Sequence, residues 1–334
     1  MRITIIGSGA MACLFGARLA PHAEVTLLGT WREGIAAIAD SGIRIGPHPL
    51  RPSPVRNGDE RQRGSHAVPD IEEGLATVHV RATTDPREAA RADLALVLVK
   101  SWQTERAARQ AAEVLAPDGI ALTLQNGLGN LEKIAAAVGA ERALLGVTTM
   151  GATLLGPGLV REGGRGPTHI VEHPLLSGFV RLLRSAGFEA LQLPTSDLQP
   201  LLWGKVVINC GINALTAILR VPNGELPERP DARGLMERAA CEAAEVARAK
   251  GIALPYPDPA ARVREVARAT AANRSSMFQD ILRGAPTEID AINGAVVREW
   301  EQLGVATPVN EVLWRLVQAL ITNDTNGRIP RIGG

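Results

Sequence analysis

The run LLWGKVVINCGINALTAIL, residues 201–219, is almost wholly apolar or small, and Lys205, Asn209, Asn213 and Thr216 are its polar side chains. Their spacings of 4, 4 and 3 put them on one face of a helix whose other faces look buried. A lysine and amides on a buried helix need polar partners or water. One reading is a stripe lining a cleft, where the ammonium meets a polar substrate. Such an ammonium both stabilises negative charge developing on a carbonyl oxygen and donates the proton. The other reading is a solvent-exposed stripe.

A second constellation is Gly7-Ser8-Gly9-Ala10-Met11-Ala12, lying between a short Ile-rich run (2–6) and a helical pattern (10–20). Gly7 permits a tight turn, and Gly9 lets backbone approach a pyrophosphate resting on the helix N-terminus. Ala12, third in the pattern, is small enough for close helix–strand packing. A G-x-G-x-x-A motif in this context predicts dinucleotide binding; alone it would be an ordinary βα turn. An acidic residue at the end of the second strand would bind a ribose 2′-hydroxyl. The sequence has Leu28-Gly29-Thr30-Trp31-Arg32 there, with no carboxylate before Glu33. Arg32 and Thr30 suit a 2′-phosphate, favouring NADP, although Arg32 also fits a solvated helix start.

Lys100 follows ALVLV, and Asn126-Gly127 follows ALTLQ. Carboxyl ends of strands are where open α/β sheets place ligands, so the two suggest a polar rim to one crevice. A solvated strand end and a plain turn are the alternatives. Asn273 and Ser276 lie in NRSSM, and Thr287-Glu288-Ile289-Asp290 opens the next helical pattern. Taken alone, that tetrapeptide reads as a shortened capping box with Glu288 as a first-turn carboxylate.

The elements that must position these residues alternate in the first half. Strands are predicted at 2–6, 24–28, 92–99, 120–124 and 188–193, and helices at 10–20, 32–40, 103–115, 129–138 and 174–186. Short β pieces, expected antiparallel, fill 142–172. This pattern predicts an α/β fold with a parallel sheet. From 196 the strand signals stop, and helices are predicted at 196–220, 231–250, 258–272, 287–303 and 308–321. Thr195 or Ser196 is expected to cap the first of these, with Pro200 in its first turn. The expected organisation is a dinucleotide-binding domain at 1–195, an all-helical domain at 196–322 and a frayed tail at 323–334. The Pro-rich, polar stretch 47–75 reads as a surface insertion.

Composition narrows the function classes. With 334 residues, 46% apolar and 21% charged, the chain supports about two domains with sizeable cores. Its net charge of +1 gives no general attraction to nucleic acid or an acidic membrane. No uninterrupted apolar run predicts a spanning helix. Cys13, Cys210 and Cys241 are too scattered for a disulfide framework, which suits a reduced, cytoplasmic protein, and the six His show no ligand spacing, so no metal is expected. Only four of the 36 basic residues are lysines (Lys100, Lys133, Lys205 and Lys250), and two of them sit in strongly apolar runs.

The ordered set GSGAMA, LVKSWQT, LQNGLGN, GKVVINCGINALTA, PNGEL, NRSSMFQD and TEIDAINGAVV resembles the ketopantoate reductase (2-dehydropantoate 2-reductase) family over about residues 1–45 and 78–320. The resemblance implies an N-terminal Rossmann-type domain and an all-helical C-terminal domain (6-phosphogluconate dehydrogenase C-terminal-like), with the site in the cleft between. It implies NADPH-dependent reduction of 2-dehydropantoate to (R)-pantoate in pantothenate biosynthesis. Lys205 matches the general acid, and Glu288 a carboxylate that contacts cofactor and orients the site. Asn209, Asn213 and Asn223 match substrate-binding amides, and Asn273 and Ser276 match groups holding the substrate carboxylate and hydroxyl. Lys100, Asn126 and Ala152 match cofactor contacts, with Asn126 also near substrate. Three departures stand out. Ala12 replaces the usual third Gly, Thr30 stands where an Arg commonly grips the 2′-phosphate, and the 47–75 insertion is longer than usual. Homodimerisation through the helical domain is left open. A reductase of another 2-oxo or imino acid, or a non-catalytic NADP-binding sensor, would share much of this pattern.

Overall fold

The structure, a computed structural model, describes residues 1–46 and 75–322. The proposed insertion, except its last residue, and the tail lie outside the described residues. In chain order the first half comprises β1 (Arg2–Ile6), α1 (Ala10–Leu19), β2 (Glu24–Leu28), α2 (Arg32–Ser41), β3 (Ile43–Gly46), β4 (Ala76–Val78), β5 (Arg81–Thr83), β6 (Ala92–Val97), α3 (Thr104–Val114), β7 (Leu115–Thr123), α4 (Asn130–Val138), β8 (Ala143–Thr148), β9 (Ala152–Gly156), β10 (Leu159–Glu162), β11 (Thr168–Val171), α5 (Leu176–Ser185) and β12 (Ala190–Leu193). The second half is helical: α6 (Thr195–Leu219), α7 (Glu225–Glu228), α8 (Pro230–Ala249), α9 (Pro259–Ala269), α10 (Ser276–Leu282), α11 (Asn293–Leu303) and α12 (Pro308–Thr322). The chain divides into two compact units. Among the described residues, the first holds 1–46, 75–99, 106–124 and 134–192; the second holds 100–105, 125–133 and 193–322.

In the first unit an eight-stranded sheet runs in the order β12-β11-β8-β7-β6-β1-β2-β5. From β8 to β5 every pairing is parallel, while β11 is antiparallel to β8. Residues 3–6 of β1 and 94–97 of β6 are buried on both faces, as in a parallel sheet covered by helices on either side. The chain moves one way from β1 to β2 and then crosses to β6 on the other side, so the carboxyl end of β1 is a topological switch point. The stretch 142–172 is only partly antiparallel. β9 and β10 form the expected hairpin, but β8 joins the main sheet parallel to β7, and β10 lies parallel to β3 in a second sheet, β4-β3-β10-β9. Strands β3, β4 and β5 carry too few residues for a clear alternation, which is why periodicity missed them.

The second unit is built around α6. Gly211 lets its neighbours come close: a Cβ there would sit 2.9 Å from the Met236 carbonyl oxygen of α8 and 2.8 Å from Val263 of α9. Trp203, Val206, Val207, Cys210 and Leu215 are buried in the same core. By length and composition α6 is apolar enough to cross a membrane, which the sequence reading did not foresee, but two thirds of that window is buried inside the unit. Its start also differs from expectation. The cap position is Pro194 with no side-chain cap, and Pro200 sits in the second turn rather than the first. The predicted helix 287–303 is broken: a 3-10 turn at Ile289–Ala291 precedes α11, because Ile292 (φ −106°, ψ −95°) leaves helical geometry.

Candidate active site

Within the first unit, the glycine-rich turn is built as its sequence requires. Gly7 has φ +138°, its N–H donates to Leu28 O at 2.8 Å, and a Cβ would come within 3.0 Å of Leu98 O. Only glycine fits between two strand ends at that φ. Gly9 is the N-cap of α1, has no side-chain cap, and a Cβ on it would meet nothing within 4 Å. The space beside Gly9 at the start of α1 is thus open, which leaves room for a pyrophosphate to approach the helix N-terminus. Ala12 is fully buried and lies 3.4 Å from the Gly7 Cβ position, so its small size is required by packing. Ser8 is buried, Ala10 and Met11 half-buried. Thr30, Trp31 and Arg32 are exposed where β2 passes into α2, with no carboxylate among them. Ala152 begins β9 in the second sheet. These residues fit a dinucleotide.

The second unit gathers the titratable groups. Lys100 lies three residues past β6 and Asn126 three past β7. Both meet Glu288. The Asn126 amide donates to its Oε2 at 3.3 Å, Lys100 Nζ is 3.7 Å from Oε2, and the Ser101 N–H donates to Oε1 at 3.0 Å. Lys100 Nζ also donates to Asp280 Oδ2 at 2.7 Å. Glu288 and Asp280 are 4% and 3% exposed. Glu288 is therefore not a solvated first-turn carboxylate of a helix. The capping-box reading fails with it: Thr287 Oγ1 accepts only from the Ile289 N–H, and Asp290 instead accepts from Trp314 Nε1 and Gln318 Nε2 of α12.

Segment 125–128 is pinned against the same turn, since the Leu128 N–H donates to Ala291 O at 2.8 Å. Gly127 has φ +85°, and a Cβ would fall 2.4 Å from Ala291 O. Gly127→Ala should lower stability by about 2 kcal/mol or more through left-handed strain plus that clash. Thermal unfolding would read it as a lowered Tm.

Along α6, Lys205 and Asn209 are half-buried, Asn213 is 6% exposed and Thr216 is fully buried. The stripe is thus not a solvent-exposed face. Burial pulls the Lys205 ammonium down to a pKa of about 8, and the Glu288 carboxylate acts against that fall. Thr216 leaves the functional set. Its hydroxyl donates back to Ile212 O at 2.9 Å and pairs with Ser275 Oγ at 2.7 Å, satisfying a buried group inside the core. Ser275 also caps α10 by accepting the Phe278 N–H, and Ser276 beside it is half-buried. The Asn223 N–H donates to Asn273 O at 2.9 Å, and its Nδ2 donates to Thr270 Oγ1, while its Oδ1 is buried without a hydrogen-bond partner. Asn273 itself is exposed.

Contacts therefore join Lys100, Asn126 and Glu288 into one cluster, and Asn223 to Asn273. Asp280 and Ser101 belong to the first cluster and were not singled out from the sequence. Asp280 follows Ser276 by one helical turn in NRSSMFQD, a spacing that could have flagged it. The Ser101 contribution is a backbone N–H, which no residue type announces.

A pyrophosphate cradle at a sheet switch point, and a desolvated lysine electrostatically supported by a buried carboxylate, are the two requirements of a nicotinamide-dependent carbonyl reductase. Comparison with known proteins makes the class specific. The family model "Ketopantoate reductase PanE/ApbA" matches residues 3–174, and "Ketopantoate reductase PanE/ApbA C terminal" matches 197–321. The 2-dehydropantoate 2-reductase of Halobacterium salinarum is 36% identical over 325 residues, covering 95% of this chain and 98% of that one. A PanE/ApbA family ketopantoate reductase from Ralstonia eutropha superposes with a TM-score of 0.82 at 31% identity, covering 96% and 98%. D-mandelate dehydrogenase bound to NADH and anilino(oxo)acetate superposes at 0.80 with 26% identity, covering 96% and 97%. The chain belongs to the ketopantoate reductase family.

Proposed function

We propose that this protein reduces the ketone of 2-dehydropantoate to (R)-pantoate, using NADPH, in the cytoplasmic synthesis of pantothenate. The observation that carries this reading is Lys205, a lysine on an apolar helix whose proton is loosened by burial and retained by Glu288. A bound nicotinamide supplies the hydride. Lys205 orients the carbonyl oxygen and gives it the proton as negative charge develops. Asn209, Asn213 and Asn223 bind the substrate's polar groups; the unpartnered Asn223 Oδ1 is an acceptor suited to a substrate hydroxyl. Ser276 and Asn273 hold the carboxylate and hydroxyl end. Residues 7–12 hold the pyrophosphate, Lys100, Asn126 and Ala152 contact the cofactor further along, and Arg32, helped by Thr30, takes the 2′-phosphate.

A second reading keeps the reaction and changes the acid, with another 2-oxo acid as substrate. It is favoured by the likeness to D-mandelate dehydrogenase, whose structure also holds NADH. Initial rates with 2-dehydropantoate, pyruvate, 2-oxoisovalerate and a 2-oxo arylacetate, each with NADPH and NADH, separate the two. The expected result is a kcat/KM for 2-dehydropantoate with NADPH at least ~100-fold above every other pairing. Arg32→Ala should raise KM for NADPH ~10-fold and leave NADH unchanged. Dinucleotide binding without turnover on any acid would mark a sensor.

A further inference from the structure

Lys100 has two carboxylates within reach and divides itself unequally between them. It lies 2.7 Å from Asp280 Oδ2 but 3.7 Å from Glu288 Oε2. Both carboxylates are buried, while the lysine side chain is 35% exposed. Glu288 is also the acid whose field reaches Lys205. The Glu288 oxygens are held by the Ser101 N–H and the Asn126 amide, both neutral donors that leave its charge intact. The charged groups bearing on this cluster are Lys100, Asp280, Glu288, Lys205 and, more weakly, Arg283.

We propose that Asp280 is a positioning residue: by holding the Lys100 ammonium on its own carboxylate, it keeps that cation from neutralising Glu288, and so sets how firmly Lys205 keeps its proton. Charge counting gives the direction. Asp280, Glu288 and Lys100 together present one net negative charge to Lys205. Without the Asp280 charge the cluster is neutral, and Lys100 is free to close on Glu288. Without Lys100 no cation competes for Glu288, whose charge is then left to Lys205. A cation's pKa falls as negative charge is withdrawn from its surroundings and rises as it is added. Burial already acts to pull Lys100 down, and Glu288 and Asp280 outweigh it, so this lysine stays charged and competes fully for Glu288. Burial raises Asp280 against the pull of Lys100.

The inference rests on Lys205 being the proton donor for its functional meaning, but its test does not require turnover. The chain has only four lysines, so its side-chain resonances are few enough to follow singly. With 13Cε-labelled lysine, assigned by single Lys→Arg variants, the Lys205 titration is read directly in the full-length protein. Asp280→Asn should move its midpoint down by about one pH unit, and Lys100→Gln should move it up. Asp280→Glu, which keeps the charge, should leave the midpoint at the parent value, and Lys100→Gln serves where the Asn variant folds poorly. An unchanged Lys205 midpoint in both Asp280→Asn and Lys100→Gln overturns the inference. If the midpoints move as stated while the pH dependence of kcat/KM does not follow them, the positioning role stands and the proton-donor reading fails.

Discussion

Lys205→Ala should lower kcat for ketone reduction by ~100- to 10,000-fold, the range that general acid catalysis contributes, while NADPH binding measured by fluorescence titration should stay near the parent value. The loss arises because hydride transfer leaves an alkoxide in a low-dielectric site, where no other ammonium on α6 replaces the lost one. Lys205→Arg should fail almost as badly, since a guanidinium keeps its proton at any working pH and is a poor donor. The pH dependence follows from the same group. Reduction needs the protonated lysine, so kcat/KM is level below about pH 8 and falls tenfold per unit above it; oxidation of the hydroxy acid needs the free amine and rises through the same value. Stability separates catalysis from folding. The folded-state pKa is depressed, so the ammonium costs stability below about pH 8, and that cost disappears as pH rises toward the ordinary lysine value. Lys205→Met removes it, so this inactive variant should melt at or above the parent Tm. Near-normal turnover in Lys205→Ala would end the assignment.

Glu288→Gln is the second large effect. The substitution keeps an oxygen for the Ser101 N–H and removes the charge that supports Lys205. Lys100 is left with Asp280 alone. We expect kcat/KM to fall ~10- to 100-fold and the upper pH limb to move to lower pH, because the lysine now loses its proton earlier. A fall in activity with an unmoved limb would mean that Glu288 acts only through binding. Glu288→Ala should cost more, since it leaves the buried Ser101 N–H without an acceptor.

Much of the first unit was legible in the sequence because its signals are local. Gly7 follows an Ile-rich strand directly and Gly9 opens the next helix, and both the φ of +138° at Gly7 and the open space at Gly9 are what those glycines foretold. The polar stripe of α6 was legible for the same reason: helical period alone puts Lys205, Asn209 and Asn213 on one face. Thr216 shares that face and was misread. Its hydroxyl turns back onto Ile212 O and Ser275, and a hydrogen bond to a helix's own carbonyl leaves no trace in spacing. The ladder β3–β10 was invisible because parallel pairing between strands more than a hundred residues apart has no local pattern.

Glu288 marks the boundary most clearly. By its sequence it is a carboxylate at a helix start, as cheap and as common as any other. The tertiary structure buries it, breaks the helix after it at Ile292, and brings Lys100, Ser101 and Asn126 to it across more than 160 residues of chain. Sequence by itself determined which residues carry charge, which faces they share and where backbone must turn, because these follow from side-chain type and helical or strand period. Only the tertiary structure decided which charges lose their water and which partners face them. Desolvation and Coulomb pairing depend on distance in space, and those two quantities set the Lys205 proton on which the proposed chemistry turns.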